Sequence, residues 1–398
     1  MGSYSTPLIS SLNVIILLVS LFSSEFGLIR HGATLGINYG QVANNLPSPQ
    51  RVLSLVSSLN INKIRIYDTN PQVLSAFANS GVDIIVTVPN EMVAQLTDRQ
   101  QALQWLISNV KPYLPATKIS GIQLGNEVYT SDDQTLMSNL VPAMTIIHEA
   151  LVQLGLDSYI HVSTANSLAV IENSYPPSLA SFQQDIQPLM APFLRFLAIT
   201  KSPFWINAYP YFAYKDDPTR IPLNYVLMNP NKGMVDPYTK LYYDNMLYAQ
   251  VDAVTFAMAR MGYGGIEVRV SETGWPSKGD VNEVGATMEN ARVYNKNLMM
   301  RQVRNEGTPL RPKQRLEVYL FALFNEDMKP GPTSERNYGL YQPDGILTYN
   351  LGLTTLKSDM PPQVSSSSAA KGQREEFGKL WILICTLISQ ALMRRAII

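Results

Sequence analysis

The sequence predicts a (β/α)₈ TIM barrel of the α/β class, folded as a single catalytic domain. Short apolar or β-branched segments alternate with longer segments of helical periodicity, and about eight such pairs follow one another. Polar residues come directly after several of the short segments, as expected at the carboxyl ends of barrel strands, where active sites lie. The chain has 398 residues, 46% of them hydrophobic, which is enough for one large core. A doubly wound open sheet is the alternative fold.

The predicted strands are short, and apolar or β-branched residues dominate them. They are 35–39, 63–67, 83–88, 119–124, 161–165, 204–209, 267–271 and 318–324. Helical patterns fill the intervals, for example 49–59, 99–110, 136–154, 238–261 and 289–305. Ser48 and Asp98 precede two of these helices, where a side-chain oxygen caps the first backbone N–H groups.

Charge and composition limit the kinds of partner. Lys plus Arg and Asp plus Glu number 31 each, so the net charge is zero and no field of one sign attracts nucleic acid or an anionic membrane. His31, His148 and His161 lack the spacing of metal ligands, and the single cysteine, Cys385, allows no internal disulfide. We therefore expect no metal, no cofactor, and a monomer whose partner is neutral and sugar-like.

The N-terminal segment 1–32 resembles a secretory signal peptide. Residues 12–22 form an uncharged apolar run of the expected length, and small residues follow it at Ser23, Ser24 and Ala33. The segment before the run lacks Lys and Arg, so a buried first helix or an uncleaved anchor is the alternative. The domain that follows is predicted to span 33–353.

The C-terminal region has the layout of a glycosylphosphatidylinositol attachment signal. Segment 354–379 is a linker rich in Pro, Ser and Ala that contains the small residues SSSSAA at 365–370, and segment 380–398 is a hydrophobic tail that would be removed. Arg394 and Arg395 favour the alternative of a membrane span, for which the apolar run is short, and a buried helix is a further alternative. We expect a secreted protein on the outer face of the plasma membrane or in the cell wall.

Two carboxylates follow predicted strands. The sequence VRVSETGWP at 268–276 places Glu272 where a strand stops, and ISGIQL at 119–124 is followed by Asn126 and Glu127. Singly, either acid could cap backbone N–H groups, or lie in the first turn of a helix and interact with its dipole. As a pair at the same end of a barrel, they fit cleavage of a glycosidic bond, which needs one neutral and one ionised carboxyl group.

Other strand ends carry amides, aromatics and further charges. Aromatic faces stack on the C–H faces of sugar rings, while amides and carboxylates bind hydroxyl groups, so these residues suit a carbohydrate. The candidates are Tyr39, Asn126, Asn207, Tyr209, Phe212, Glu326 and Lys329. Each aromatic residue could instead pack in the core, and Glu326 could simply pair with Lys329 at position i+3.

Five motifs in order make the resemblance to a known family specific. They are GINYG at 36–40, LGNEV at 124–128, INAYPYF at 206–212, VSETGWPSKGD at 270–280 and FALFNEDMKPGP at 321–332. Together they resemble the plant glycoside hydrolase family 17, the glucan endo-1,3-β-glucosidases, over about residues 32–353.

This resemblance implies a retaining (β/α)₈ hydrolase that cuts internal β-1,3 bonds of glucans such as callose. It implies that Glu127 is the acid/base and Glu272 the nucleophile. It also implies a cleft lined by Tyr39, Asn126, Tyr209, Glu326 and Lys329, to which Phe212 and Trp275 are further candidates. The alternatives are a β-1,3-glucan transglycosylase, which passes the same intermediate to a sugar, and a non-catalytic glucan-binding wall protein.

Overall fold

The structure, a computed structural model, describes residues 35–351. The predicted signal peptide (1–32), linker (354–379) and hydrophobic tail (380–398) lie outside the described residues. Within 35–351, eight parallel strands close into a barrel and confirm the predicted fold. In chain order these strands, here β1–β8, are Leu35–Tyr39, Lys63–Ile66, Asp83–Val88, Lys118–Asn126, His161–Ser167, Phe204–Asn207, Val268–Thr273 and Val318–Leu320.

Each strand pairs with its neighbours in sequence, and β8 returns to pair with β1, as in Leu35 with Val318. Helices cover the outside of the barrel. In chain order these helices, here α1–α9, are Pro49–Ser58, Pro71–Ala76, Arg99–Asn109, Gln134–Leu154, Gln187–Thr200, Pro210–Asp216, Leu223–Val226, Met246–Arg260 and Met288–Val303. Ser48 and Asp98 accept backbone N–H groups at the starts of α1 and α3, which confirms both predicted caps.

The helix predicted over 238–261 begins later than expected. Residues Met234–Val235 and Tyr242–Tyr243 pair as a short antiparallel hairpin, and Asn245 then caps α8 by accepting the Tyr248 N–H. The predicted strand 204–209 also ends early, at Asn207, because Pro210 begins α6. Both differences lie near the carboxyl ends of the barrel strands.

The barrel interior is packed and partly polar. Ile85, Ala165, Trp205 and Tyr319 form one buried apolar cluster, in which the Trp205 and Tyr319 rings meet edge to face with centroids 5.5 Å apart. Arg65 is also fully buried. A buried guanidinium requires several acceptors, so its partners must lie inside the barrel.

The strands that carry the two candidate acids both contain a β-bulge near their carboxyl ends. On β7, Val270 opposes Ile206, but Glu272 opposes the next residue, Asn207. On β4, the register shifts between Gln123 and Asn126 relative to β5. An extra residue turns the following side chains relative to the regular alternation of a strand, so it sets the direction of the residues at the barrel mouth.

Candidate active site

A cleft of about 400 Å³ opens at the carboxyl ends of the barrel strands. Seven of the predicted site residues line it: Asn126, Glu127, Tyr209, Phe212, Glu272, Glu326 and Lys329. Sequence reasoning missed others, including Gln41, Tyr67, Phe321, Glu335 and Tyr338. The structure therefore brings both candidate catalytic acids into one cleft with aromatic walls.

Glu272 is held by three donors. Its Oε1 accepts from Arg65 Nη1 at 2.5 Å and from the Tyr67 hydroxyl at 2.7 Å, and its Oε2 accepts from the Tyr209 hydroxyl at 2.8 Å. All three bonds favour a carboxylate that accepts over a carboxylic acid that must donate. Burial raises the pKa of both phenols well above the usual value, and the charge of Glu272 adds to this effect, so both keep their protons.

Arg65 connects this carboxylate to the rest of the barrel interior. Its Nε donates to Gln123 Oε1 at 2.5 Å, and its Nη2 donates to Asn126 Oδ1 at 2.8 Å. The prediction of candidate residues overlooked Arg65, although the sequence KIRIY contained a signal. A permanently charged residue at the centre of an apolar strand is rare unless the charge is paired.

Glu127 lies in a different environment from Glu272. Its backbone has a φ of 54°, a left-handed conformation, and its N–H donates to Ala165 O at 2.8 Å. The Asn207 amide donates to its Oε1 at 2.9 Å. Burial raises the pKa of Glu127 and the charge of Glu272 raises it further, against the lowering effects of Asn207 and Arg65. Glu127 therefore stays protonated more readily than an exposed glutamic acid does.

Glu326 and Lys329 both line the cleft but have different partners. Glu326 Oε1 accepts the Val42 N–H at 2.8 Å, and a Cβ atom on Gly40 would collide with the Glu326 carboxylate. Lys329 Nζ lies 3.6 Å from Glu335 Oε2 and 4.3 Å from the centroid of the Phe321 ring. The ion pair of Lys329 therefore forms with Glu335, and the glycine at position 40 leaves room for the Glu326 carboxylate.

Aromatic rings form one wall of the cleft. Tyr209 packs against Phe212 and Tyr338, with ring centroids 5.3 Å and 5.8 Å away, and Tyr338 packs in turn on Phe321. Phe212 is 37% exposed, so part of its ring faces the open cleft. The wall can present apolar faces to a sugar ring while the Tyr209 hydroxyl remains engaged with Glu272.

Three predicted substrate-binding residues lie behind the cleft surface. Trp275 is fully buried and donates its indole N–H to Gly285 O at 2.8 Å, and Tyr39 is buried with its ring edge-on to Phe324. Asn207 is buried too, and its amide contacts Glu127. All three side chains turn into the protein and support the cleft residues from behind.

Within residues 35–351, no group of three or more His, Cys, Asp or Glu side chains is arranged to hold a metal ion. The chemistry offered by the described cleft is thus that of two carboxyl groups in contrasting environments. A closed (β/α)₈ barrel with such a pair at its carboxyl end is typical of the enzymes that cleave glycosidic bonds.

Comparison with known proteins defines the family. The family model named Glycosyl hydrolases family 17 matches residues 35–353, so the chain belongs to glycosyl hydrolase family 17. Glucan endo-1,3-beta-glucosidase 11 of Arabidopsis thaliana is 51% identical over 321 residues, covering 80% of this chain and 75% of that protein. Glucan endo-1,3-beta-glucosidase 14 of Arabidopsis thaliana is 50% identical, covering 81% of this chain and 82% of that protein. The resemblance predicted from the motifs is confirmed.

The fold has a close match among solved structures. CJP38, a β-1,3-glucanase and allergen of Cryptomeria japonica pollen, superposes with a TM-score of 0.76 at 42% sequence identity. The match covers 80% of this chain and 98% of that one. It therefore extends over nearly the whole barrel described here.

Replacing Arg65 with methionine tests how much the buried ion pair between Arg65 and Glu272 contributes to stability. Arg65→Met should lower the free energy of unfolding by about 3–5 kcal/mol, because it leaves the Glu272 carboxylate buried without its cation. Urea unfolding followed by circular dichroism measures the change.

The double variant Arg65→Met/Glu272→Gln is the control for this interaction. Its loss of unfolding free energy should be smaller than the sum of the two single losses by about 0.5–3 kcal/mol, since the charge that needed Arg65 is gone. Strict additivity of the two losses would show that Arg65 acts independently of Glu272.

Proposed function

We propose that the protein hydrolyses internal β-1,3-glucosidic bonds of glucans such as callose with retention of configuration. The observation that carries the proposal is that Glu127 and Glu272 line one cleft in environments that favour opposite protonation states. The endo-1,3-β-glucosidase names of relatives about 50% identical to this chain supply the substrate class. The open cleft and its aromatic wall suit a polysaccharide that passes through the site.

In the proposed first step, Glu272 attacks the anomeric carbon and Glu127 donates its proton to the departing glycosidic oxygen. The bond between these two sugar atoms breaks as the bond to Glu272 forms. In the second step, the Glu127 carboxylate accepts a proton from water, whose oxygen attacks the same carbon and releases Glu272. Each acid thus returns to its starting state.

Hydrogen bonds within the site support this division of roles. Arg65, Tyr67 and Tyr209 stabilise charge on Glu272 before attack and again as the carboxylate is released. Asn126 accepts from Arg65 and lies 3.4 Å from the Asn207 amide that binds Glu127. This chain of contacts fixes the two acids relative to one another through side chains that are themselves held in place.

Azide rescue of the two acids assigns their roles. Glu272→Ala should abolish turnover of a β-1,3-glucan oligomer with an activated leaving group, and azide should restore part of it with an α-glycosyl azide as product. Glu127→Ala should slow turnover of unactivated oligomers by about 10²–10⁴-fold. Azide should then yield the β-glycosyl azide, because the covalent intermediate still forms. Proton NMR of the anomeric centre distinguishes the two products.

The opposite pairing of variant and product would reverse the assigned roles. Full activity in either variant would remove that residue from the mechanism. Tyr238→Ala, a substitution of an exposed tyrosine outside the cleft lining, is the control for general effects of mutation.

The pH dependence of kcat/KM should report the proton on Glu127. Glu127 must be protonated to donate, so activity declines as pH rises through its raised pKa. The Asn207 hydrogen bond lowers this pKa, so Asn207→Ala should move the basic limb to higher pH. The same variant should reduce kcat/KM because Glu127 loses a positioning contact.

Ser167→Ala is a matched control, since Ser167 is paired with Asn207 in the barrel but its hydroxyl accepts the Ala169 N–H. It should leave the basic limb where it is. A basic limb that does not move in Asn207→Ala would mean that another group donates the proton.

We propose further that the protein is exported and carries a lipid anchor. Support comes from the sequence alone: the apolar run at 12–22, the small residues at 365–370 and the apolar tail of 380–398. Expressed in a plant cell, the protein should be released from membranes by a phosphatidylinositol-specific phospholipase. Gel electrophoresis of the soluble and membrane fractions detects the release. Heat-inactivated phospholipase is the control. Unchanged partitioning into detergent would favour a membrane span instead, and retention in the cytosol would exclude both.

A further inference from the structure

A second depression, larger than the cleft, lies beside α6. It is a groove of about 720 Å³, and α6 separates it from the cleft: Phe212 lines the cleft, whereas the next residue, Ala213, lines the groove. Consecutive helical residues point about 100° apart, so one short helix presents different faces to the two depressions. Nothing in the proposed reaction uses this groove.

Two tyrosine rings line the groove, and a third lies close by. Tyr175 and Tyr225 line it, and Tyr175 is 67% exposed. Burial raises the pKa of the Tyr225 phenol, with smaller contributions from Asp244, Tyr175 and Tyr242, so these phenols are near neighbours. Tyr242 packs so closely on Gly233 that a Cβ there would lie 2.5 Å from its ring. Rings clustered along an open groove can stack against the C–H faces of sugars.

A buried acceptor in the groove lacks a partner. Gln250, on α8, lines the groove and is 6% exposed, yet its Oε1 has no hydrogen-bond partner within the part of the chain that the structure describes. This oxygen is itself almost inaccessible, so a ligand hydroxyl bonds to it, and recovers the free energy lost by burying it without a donor, only after the Gln250 side chain turns toward the groove. After that turn, Gln250 gives the groove an acceptor for an O–H donor.

The groove carries little net charge and is held in a fixed shape. Arg220 forms an ion pair with Asp217, so these two charges cancel, and Lys232 leaves the groove lining with one positive charge. Asp236 accepts the Ser178 N–H at 3.0 Å and the Ser178 hydroxyl at 2.8 Å, which ties the hairpin beside the groove to the segment that carries Tyr175. The groove is preformed and nearly neutral, and it contains aromatic rings and a hydrogen-bond acceptor without a donor. These properties suit an uncharged polyhydroxylated chain.

We propose that this groove is a second binding site for β-1,3-glucan, separate from the catalytic cleft. It holds a length of the polymer while another length lies in the cleft, so it strengthens binding of long glucans without touching the reacting atoms. The gain arises because a polymer bound at one site presents a high effective concentration to the other. Short oligomers, which fill only the cleft, do not benefit.

Binding is best measured in the full chain carrying Glu272→Gln, which is expected to leave the polymer intact. Electrophoresis through gels that contain soluble linear β-1,3-glucan gives the dissociation constant from the retardation. Adding Tyr175→Ala or Gln250→Met to this background should weaken binding about five- to tenfold. Tyr238→Ala, which removes a tyrosine of similar exposure outside the groove, should leave it unchanged. Equal retardation of all these variants would overturn the proposal.

Activity measurements separate this proposal from the catalytic one. With Glu272 intact, Tyr175→Ala should raise KM for polymeric glucan several-fold while kcat/KM for a short β-1,3 oligomer stays at the wild-type value. A parallel loss on oligomer and polymer would mean that the groove variants act through the cleft, which contradicts a separate site. A wild-type protein without hydrolytic activity would refute the proposed function, and gel retardation would still decide the groove.

Folding is checked by thermal unfolding. Gln250→Met should leave the midpoint unchanged or raise it, because the substitution removes a buried acceptor that has no partner in the free protein. A weaker affinity with an unchanged midpoint supports a binding role. A midpoint lowered in proportion to the loss of affinity would assign Gln250 to packing and count against the site.

Discussion

The structure depends most on a single buried ion pair, between Arg65 and Glu272. A guanidinium with no solvent exposure is strongly unfavourable unless every donor finds an acceptor. Here the acceptors come from three strands of the barrel: Asn38 from β1, Gln123 and Asn126 from β4, and Glu272 from β7. Closing the barrel assembles this set, and the set in turn holds a carboxylate at the barrel mouth.

This arrangement explains how two chemically identical side chains can lie in different electrostatic environments. Glu272 accepts hydrogen bonds from an arginine and two phenols, whereas Glu127 accepts one from an amide. The pKa of Glu127 is set mainly by burial and by the neighbouring charge of Glu272. The phenols of Tyr67 and Tyr209 have pKa values well above the usual one, chiefly because of burial, so they remain donors wherever Glu272 is ionised. Burial raises the pKa of both Glu127 and Glu326, so both carboxyl groups contribute to the sensitivity of the described cleft to pH.

Much of the fold and the acid pair could be predicted from the sequence, because both follow from local patterns. Alternating strand and helix segments predicted the barrel, and Glu127 and Glu272 lie in motifs at the carboxyl ends of predicted strands. The directions of side chains beyond a strand end could not be predicted in the same way. Trp275 follows a strand that carries a bulge, and a chain that turns through Gly274 and Pro276 can place the indole in either direction.

Arg65 shows a different limit of prediction. Its position within a strand was predicted, but its partners Gln123, Asn126 and Glu272 lie between 58 and 207 residues away in the chain, and only closure of the barrel makes them neighbours. The start of α8 was also misplaced because apolar periodicity does not distinguish a hairpin from the first turns of a helix. Information of this kind lies in the tertiary structure and in no local window of sequence.

The two bulges constrain the lengths of β4 and β7 together. Side chains on a strand alternate between the inside and outside of the barrel, so losing the extra residue from β7 alone would reverse the direction of Glu272 and leave Glu127 unchanged. The same holds for β4. A length change of one residue, harmless in a surface loop, would at either position separate the two acids to opposite sides of the barrel wall. Chain length in these two strands is therefore as much a part of the enzyme's chemistry as the identity of its acids.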